Sequence, residues 1–275
     1  MLADDTYLVY MGDDLADLVL NVNRDLKNVY YWCKFNKLSL NPFKSEFMLV
    51  THKRVDTMPQ IYIGDDLATH QENVKYLGLF NDNKLKFQCH IDHVRSKLAQ
   101  FSGMSYRLKP FLNLTVAKNL YYGCIYSVIK YCIVVWGGVL QSSQRGRSLQ
   151  SLQKKIVQNL FGKFHERSTC LFKSMKILKI ADVHKFYAAL YMYRVVKLNS
   201  CPMIENYIEL NHYSHDYETR NRNRLILPFP RINAIRINFT YQLINIWNDV
   251  PEAIKNAGSA NIFKKLLCEH IISTY

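Results

Sequence analysis

Three pairs of adjacent aspartates, Asp4-Asp5, Asp13-Asp14 and Asp65-Asp66, are the residues of this 275-residue chain whose type and spacing best suit chemistry. Neighbouring carboxylates repel, so each pair needs a metal ion, a helix N-terminus, a turn or solvent to offset it. Asp4-Asp5 precedes the apolar run T-Y-L-V-Y-M, 6–11, with small Ala3 before it. Two carboxylates at the tip of a buried hairpin could hold divalent ions roughly 3.5–4 Å apart, where the ions stabilise both the attacking and leaving oxygens of a phosphoryl transfer. The same A-D-D tripeptide also suits a solvated turn. Asp13-Asp14 opens a helical pattern, where carboxylates accept orphan backbone N–H groups and oppose the positive end of the dipole. Asp65-Asp66 follows Gly64 between two short apolar runs, where Asp tolerates a tight turn.

The remaining catalytic leads are weaker. C-H-x-x-H at 89–93 places two histidines three apart, and His212/His215 and Cys268/His270 offer further donors. None of these spacings resembles a zinc knuckle, and capping or polar helix faces explain them equally. No Ser-His-Asp order and no phosphate-cradling glycine loop is evident.

The elements that must position these groups follow from periodicity. T-Y-L-V-Y-M, 6–11, reads as a strand. Apolar residues at 15, 18, 19, 22, 26, 29, 30 and 33 then predict a helix capped by Asp14 and ending near Asn36. E-F-M-L-V-T-H, 46–52, and V-K-Y-L-G-L-F, 74–80, read as strands, and I-Y-I with L-A-T flanks a hairpin turn at Gly64-Asp65-Asp66. From His90 helical patterns dominate. Ile91, Val94, Leu98, Phe101, Met104 and Leu108 form a stripe ending at Pro110, and Thr115 can cap a second helix reaching Tyr131. A third helix, with Leu149, Leu152, Ile156, Val157 and Leu160, ends at Gly162. Further helices are predicted over 169–179, 181–198 and about 261–272, whereas 199–240 is polar and arginine-rich without a clear period.

Hydrophobic residues at 49% exclude a disordered chain. The net charge of +14 is uneven. Residues 1–86 carry 10 Lys/Arg against 12 Asp/Glu, and residues 87–200 carry 18 against 3. A carboxylate-bearing part joined to a basic part suits a nucleic-acid enzyme, and a soluble basic surface explains the charge equally well. Seven scattered cysteines without C-x-x-C suit reduced thiols in an intracellular protein. The run 119–140 is the most membrane-like. With Lys130 at its middle and four tyrosines in it, the run reads instead as a buried helix followed by a short strand, so no membrane partner is expected.

A-D-D-T at 3–6 resembles the [FY]-A-D-D motif of reverse transcriptases, with Leu2 in place of the usual aromatic. W-C-K-F-N-K-L-S-L-N-P-F-K at 32–44, continuing to Arg54, is similar to the segment that follows this motif in non-LTR, jockey-type (LINE-like) retrotransposon polymerases. The next motif of those enzymes resembles V-K-Y-L-G-L-F-N-D-N-K-L-K-F-Q-C-H-I, 74–91. Y-S-V-I-K-Y-C-I-V-V-W-G-G (126–138), L-Q-K-K-I-V-Q-N-L-F-G (152–162), Y-E-T-R-N-R-N-R-L-I-L-P-F-P-R (217–231) and I-W-N-D-V-P-E-A-I-K (246–255) continue the likeness in collinear order. It covers almost the whole chain.

The resemblance implies an α+β fold: part of a right-hand polymerase palm over 1–86, a helical thumb over 87–165 and a mostly helical C-terminal region over 166–275. It implies RNA-directed DNA synthesis on an RNA template and DNA primer, with deoxynucleoside triphosphates and Mg²⁺. Asp4 and Asp5 fall on the metal-binding pair, Asp4 as the direct ligand. Lys44 falls on the loop lysine that would sit near the triphosphate and donate a proton to the leaving pyrophosphate. Tyr76, Leu77 and Gly78 fall on the turn or strand that grips the primer terminus. Lys97, Arg107, Lys109, Lys154 and Lys155 would meet template–primer phosphates. Because the chain opens at the motif, the resemblance implies a fragment without fingers or the upstream palm aspartate, inactive alone and with exposed apolar faces on 6–11 and 15–35. The alternatives are a non-catalytic basic nucleic-acid-binding module and a non-functional relic.

Overall fold

Asp14 starts the first helix as its residue type requires. The side chain accepts the Asp17 N–H at 3.0 Å, and helix α1 runs Leu15–Phe35 to a cap at Asn36. The computed structural model describes residues 6–140, 143–162, 167–198, 200, 224–227, 229 and 238–275. They divide into two compact units, Met1–Cys89 and His90–Tyr275.

In the first unit the predicted stripe of α1 is the packed side. All eight of its positions are half-buried or buried. Val19, Val22, Leu26 and Tyr30 lie on a small core of Ile61, Ile63 and Ala68. Asn23 fixes the contact by accepting the Tyr62 N–H at 2.9 Å and donating to the Gln60 carbonyl at 3.0 Å. The other side leaves Leu20, Tyr31, Trp32 and Phe35 exposed.

The strands are short. After a 3₁₀ turn at Pro42–Lys44, β1 (Glu46–Phe47) pairs in parallel with β4 (Thr69–His70). β2 (Tyr62–Ile63) and β3 (Asp66–Leu67) form the expected hairpin. Gly64 at its first loop position has φ +66°, and a Cβ there would meet the Tyr30 ring at 2.8 Å. β5 (Asn73–Tyr76) and β6 (Leu79–Asp82) form a second antiparallel hairpin.

Three strand expectations change. Residues 74–80 are not one strand. The chain reverses at Leu77-Gly78, whose φ values of 45° and 84° match the primed two-residue turn that fits the twist of a hairpin. The ladder at 46–52 stops at Phe47, where the short strand beside it ends. Residues 6–11 join no ladder among the described residues, and Val9 and Met11 are 86% and 90% exposed. β-branched composition favours a strand, but only a neighbour's N–H and C=O groups make one.

In the second unit the predicted stripe of α2 (Gln88–Leu108) is buried at Ile91, Val94 and Leu98 and half-buried at Phe101 and Leu108. Further on, Ser102 and Ser105 are buried and Met104 is exposed. Small hydroxyl residues admit a neighbouring helix closely there, and Asn159 bonds to them. Asn113, not Thr115, caps α3 (Leu114–Leu120), accepting the Val116 N–H at 2.9 Å.

A π-helical turn, Tyr121–Tyr126, leads into α4 (Ser127–Lys130). Left-handed Cys132 then starts α5 (Ile133–Trp136) where a short strand was expected. The helical turn buries Ile133 and Trp136 and lets the indole N–H reach the Tyr131 carbonyl at 2.8 Å, which outweighs β-propensity.

α6 (Gln144–Phe161) ends at Gly162 as predicted. α7 (Ser168–Met175) and α8 (Ile180–Leu198) follow. After the polar stretch, most of which lies outside the described residues, come α9 (Phe239–Asp249), α10 (Glu252–Lys255) and α11 (Ala260–Ser273).

α8 is the central element, with Ala188, Ala189 and Met192 fully buried. Its first N–H groups are satisfied from outside the helix, Lys179 by the Tyr275 hydroxyl at 2.9 Å and Ile180 by Gln153 Oε1 at 2.8 Å. The described residues thus form a mostly helical α+β chain with three two-stranded ladders. No single described helix is long and apolar enough to cross a membrane; the bent pair 114–130 and 133–139 passes on length and composition. Ile125, Ile129, Ile133 and Trp136 of that pair are buried in the protein.

Candidate functional site

Asp4 and Asp5 lie outside the described residues. Two positions on, the Tyr7 ring stands 4.0 Å from the Tyr76 ring, and the Tyr7 hydroxyl approaches the Lys75 carbonyl at 3.4 Å. The segment leaving the acid pair is therefore laid against the β5–β6 hairpin. The structure brings together the chain around Tyr76, Leu77 and Gly78 and the exit of the A-D-D motif, which are about seventy residues apart in sequence. Tyr7 does not stand out in the sequence, because an aromatic in an apolar run reads as core.

Leu77 and Gly78 form the hairpin tip. Both are in the left-handed region, where glycine is at ease and leucine is strained. Leu77 and Tyr76 are both partly exposed at the tip, with the Tyr76 ring packed on Tyr7. The acid that follows has a structural role. Both Asp82 oxygens accept backbone N–H groups of Lys84, Lys86 and Gln88 at 2.9–3.3 Å. Lys44 ends the 3₁₀ turn begun by the Asn41 cap, with its side chain exposed and without an ion pair among the described residues.

The basic residues lie on a different frame. α2 and α6 run side by side in the same direction. Arg145 pairs with Asp92 at 2.9 Å near their starts, and Asn159 donates to the Ser102 carbonyl at 3.2 Å near their ends. The Lys109 ammonium donates to the Gly162 carbonyl at 2.6 Å, where the last carbonyls and dipole of α6 attract a cation. Lys109 thus also fastens the helix pair.

Lys97, Arg107, Lys154 and Lys155 are exposed. Arg147, seven residues before Lys154, lies on the same face of α6, opposite the buried Leu149, Gln153, Ile156 and Leu160. It was missed from sequence, although i, i+7 spacing from Lys154 signals it. No acidic residue occurs between Asp92 and Glu166, and Asp92 pairs with Arg145, so this pair of helices carries a net positive charge.

The histidine and cysteine leads do not converge among the described residues. Cys89 donates to Asn73 Oδ1 at 3.3 Å, whereas the buried His90 ring lies edge-on to Trp136 at 5.2 Å. Burial, then His93 and Lys97, lowers the His90 pKa to about 4. His212 and His215 lie outside the described residues. Among the described residues no group of three or more His, Cys, Asp or Glu could hold a metal ion.

Two known proteins of Drosophila melanogaster are similar to this chain. One is the probable RNA-directed DNA polymerase from transposon X-element, 24% identical over 184 residues, covering 66% of this chain and 20% of that protein. The other is the RNA-directed DNA polymerase from the mobile element jockey, 24% identical over 200 residues, covering 70% of this chain and 21% of that protein. The chain therefore spans about a fifth of the length of these relatives, and the likeness to jockey-type polymerases read from the motifs holds over most of the chain. No family model matches the chain, and no solved structure matches it.

Proposed function

We propose that this chain is the part of a jockey-type reverse transcriptase running from the metal-binding palm motif through the thumb and into the C-terminal region, working in RNA-directed DNA synthesis. One observation carries the reading: about two-thirds of the chain is similar to two polymerases of this kind. Two features of the structure support it. The chain leaving A-D-D packs on the Y-L-G hairpin, and the helices that follow are almost free of acid.

On this reading Asp4 and Asp5 hold Mg²⁺, which supplies charge stabilisation at the reacting phosphate. Lys44 neutralises the triphosphate and protonates the leaving pyrophosphate. The hairpin tip at Tyr76, Leu77 and Gly78 supports the primer end. Lys97, Arg107, Lys154 and Lys155 meet template–primer phosphates, joined by Lys109 at the helix ends. Since the 275 residues match two carboxylates of the metal site and no third, they extend no primer alone.

The test is a chimera in which this chain replaces the matched segment of the X-element polymerase. Mg²⁺-dependent extension of a DNA primer on an RNA template is expected, and Asp4→Ala/Asp5→Ala abolishes it. A soluble, folded chimera that binds primer–template and extends nothing would refute the polymerase reading.

The net positive charge of α2 and α6 favours one alternative, a nucleic-acid-binding module without catalysis. Under it the isolated chain binds primer–template with a salt slope of about 3–4 for four phosphate contacts. The Asp4→Ala/Asp5→Ala variant binds identically, and the chimera stays inactive.

A further inference from the structure

Away from α2 and α6, the second unit contains a groove of about 540 Å³ built from four separate elements, within the size range of ligand sites. The π-helical turn and α4 supply Tyr122, Tyr126 and Lys130; the residue after α7 is Lys176; α8 gives Tyr187 and Arg194; α11 gives Lys264. Four cations and three tyrosines line it, with no carboxylate among the described residues that do so. None of the four cations has an ion-pair partner among the described residues.

Two tyrosines are already committed. Tyr126 and Tyr187 share a hydroxyl hydrogen bond of 3.3 Å, and the Lys130 ammonium sits 5.2 Å over the Tyr187 ring. Burial, then Tyr187, keeps the Tyr126 phenol protonated far above its usual range. Tyr122 differs. It is 43% exposed, its hydroxyl reaches the Lys176 backbone carbonyl at a long 3.5 Å, and its ring makes T-shaped contacts with Tyr121 and Tyr126 at 5.4 and 5.3 Å. The π turn that presents it is a rare backbone form that is frequent at functional sites.

We propose that this groove binds single-stranded nucleic acid, with a base stacked on Tyr122 and backbone phosphates held by Lys130, Lys176, Arg194 and Lys264. A partly exposed tyrosine ring can stack on any unstacked base, and cations contributed by four elements suit a run of phosphates better than one anion. A duplex presents no base face to a ring, so the groove discriminates against it. The assignment deepens the nucleic-acid reading above and rests on it, but uses residues remote in sequence from Lys97 and Arg107.

The test uses the 275-residue chain and a fluorescein-labelled twelve-nucleotide oligouridylate, followed by anisotropy at 50 and 200 mM salt. Tyr122→Ala should weaken binding roughly 5- to 150-fold, the range for loss of one stacked base, and Tyr122→Phe should not. Lys176→Asn/Arg194→Gln/Lys264→Gln should lower the salt slope by about 2, at about 0.7 per contact for single strands. Asn tolerates the left-handed backbone at Lys176 (φ 56°), and exposed Arg194→Gln alone serves if the triple variant loses helical signal.

Wild-type binding that Tyr122→Ala and Arg194→Gln leave unchanged overturns the groove and leaves the polymerase reading standing. Equal wild-type affinity for a twelve-base-pair duplex also overturns the groove. So does full competition by millimolar uridine monophosphate, which would make it a mononucleotide site. Failure of the wild type to bind any oligonucleotide at 50 mM salt overturns both readings.

Discussion

Replacing Gln153 by alanine should cost about 4 kcal/mol, although neither the polymerase reading nor the groove assigns this residue a ligand. Gln153 is buried in α6, and its amide joins three elements. Nε2 donates to the Tyr121 hydroxyl and the Leu178 carbonyl, both at 3.0 Å, while Oε1 accepts the Ile180 N–H at 2.8 Å. Tyr121 and Ile180 are fully buried and Leu178 nearly so, so water cannot replace the lost partners. Each orphaned buried group costs about 1–3 kcal/mol, and three that share one cavity add incompletely. With a urea slope of about 2 kcal/mol/M, the unfolding midpoint should fall by about 2 M, read by tryptophan fluorescence or helical circular dichroism. Gln153→Leu separates packing from polar satisfaction, because it fills the space yet leaves the same three groups unpaired. Adding Tyr121→Phe to it should recover about 1 kcal/mol by removing one of them. A Gln153→Leu protein within about 0.5 kcal/mol of wild type would refute the reasoning, since side-chain volume alone would then account for the site.

Two further outcomes follow from buried imidazoles and from the hairpin tip. His90 and His184 are buried with pKa values lowered to about 4, by desolvation first and then by nearby cationic groups, Lys185 for His184. Above pH 6.5 both states are neutral. Below it the unfolded chain binds protons that the folded one refuses, so stability should fall from about pH 6.5 to pH 4 by roughly 2–3 kcal/mol per ring and level off below; urea midpoints that stay flat across this window would contradict the burial of the rings. Leu77→Asn should stabilise the first unit by about 1 kcal/mol in thermal or urea unfolding, because Asn accepts the left-handed backbone that strains leucine. If the tip supports a primer end, the same change should also weaken primer–template binding by the chimera, and a gain in stability without that loss would assign Leu77 no contact.

Several elements were legible before any coordinates. The eight-residue stripe of α1, its Asp14 cap and its end at Asn36 follow from i, i+3, i+4 spacing and capping chemistry, as does α6 ending at Gly162. The Gly64-Asp65 turn was legible because glycine supplies the positive φ. These features are local: the residues that cause them lie within one or two turns of each other. Where causes were distant, the sequence misled. Val-Lys-Tyr-Leu-Gly-Leu-Phe has strand composition throughout, and only its pairing with itself in space made it a hairpin. The β-branched run at 133–136 became helical because burial of Trp136 outweighed propensity.

The candidate sites divide in the same way. The collinear motifs at Asp4-Asp5, Lys44 and Tyr76–Gly78, and the acid-free stretch after Asp92, are properties of the chain in one dimension, so sequence alone supplied them. That the chain leaving the aspartates rests on the hairpin, that Lys109 fastens the end of α6, and that Tyr122 shares a groove with Lys176, Arg194 and Lys264 are non-local facts. Periodicity tells which face of each helix is buried, but not which helices meet. Only tertiary packing decides which exposed cations and aromatics become neighbours.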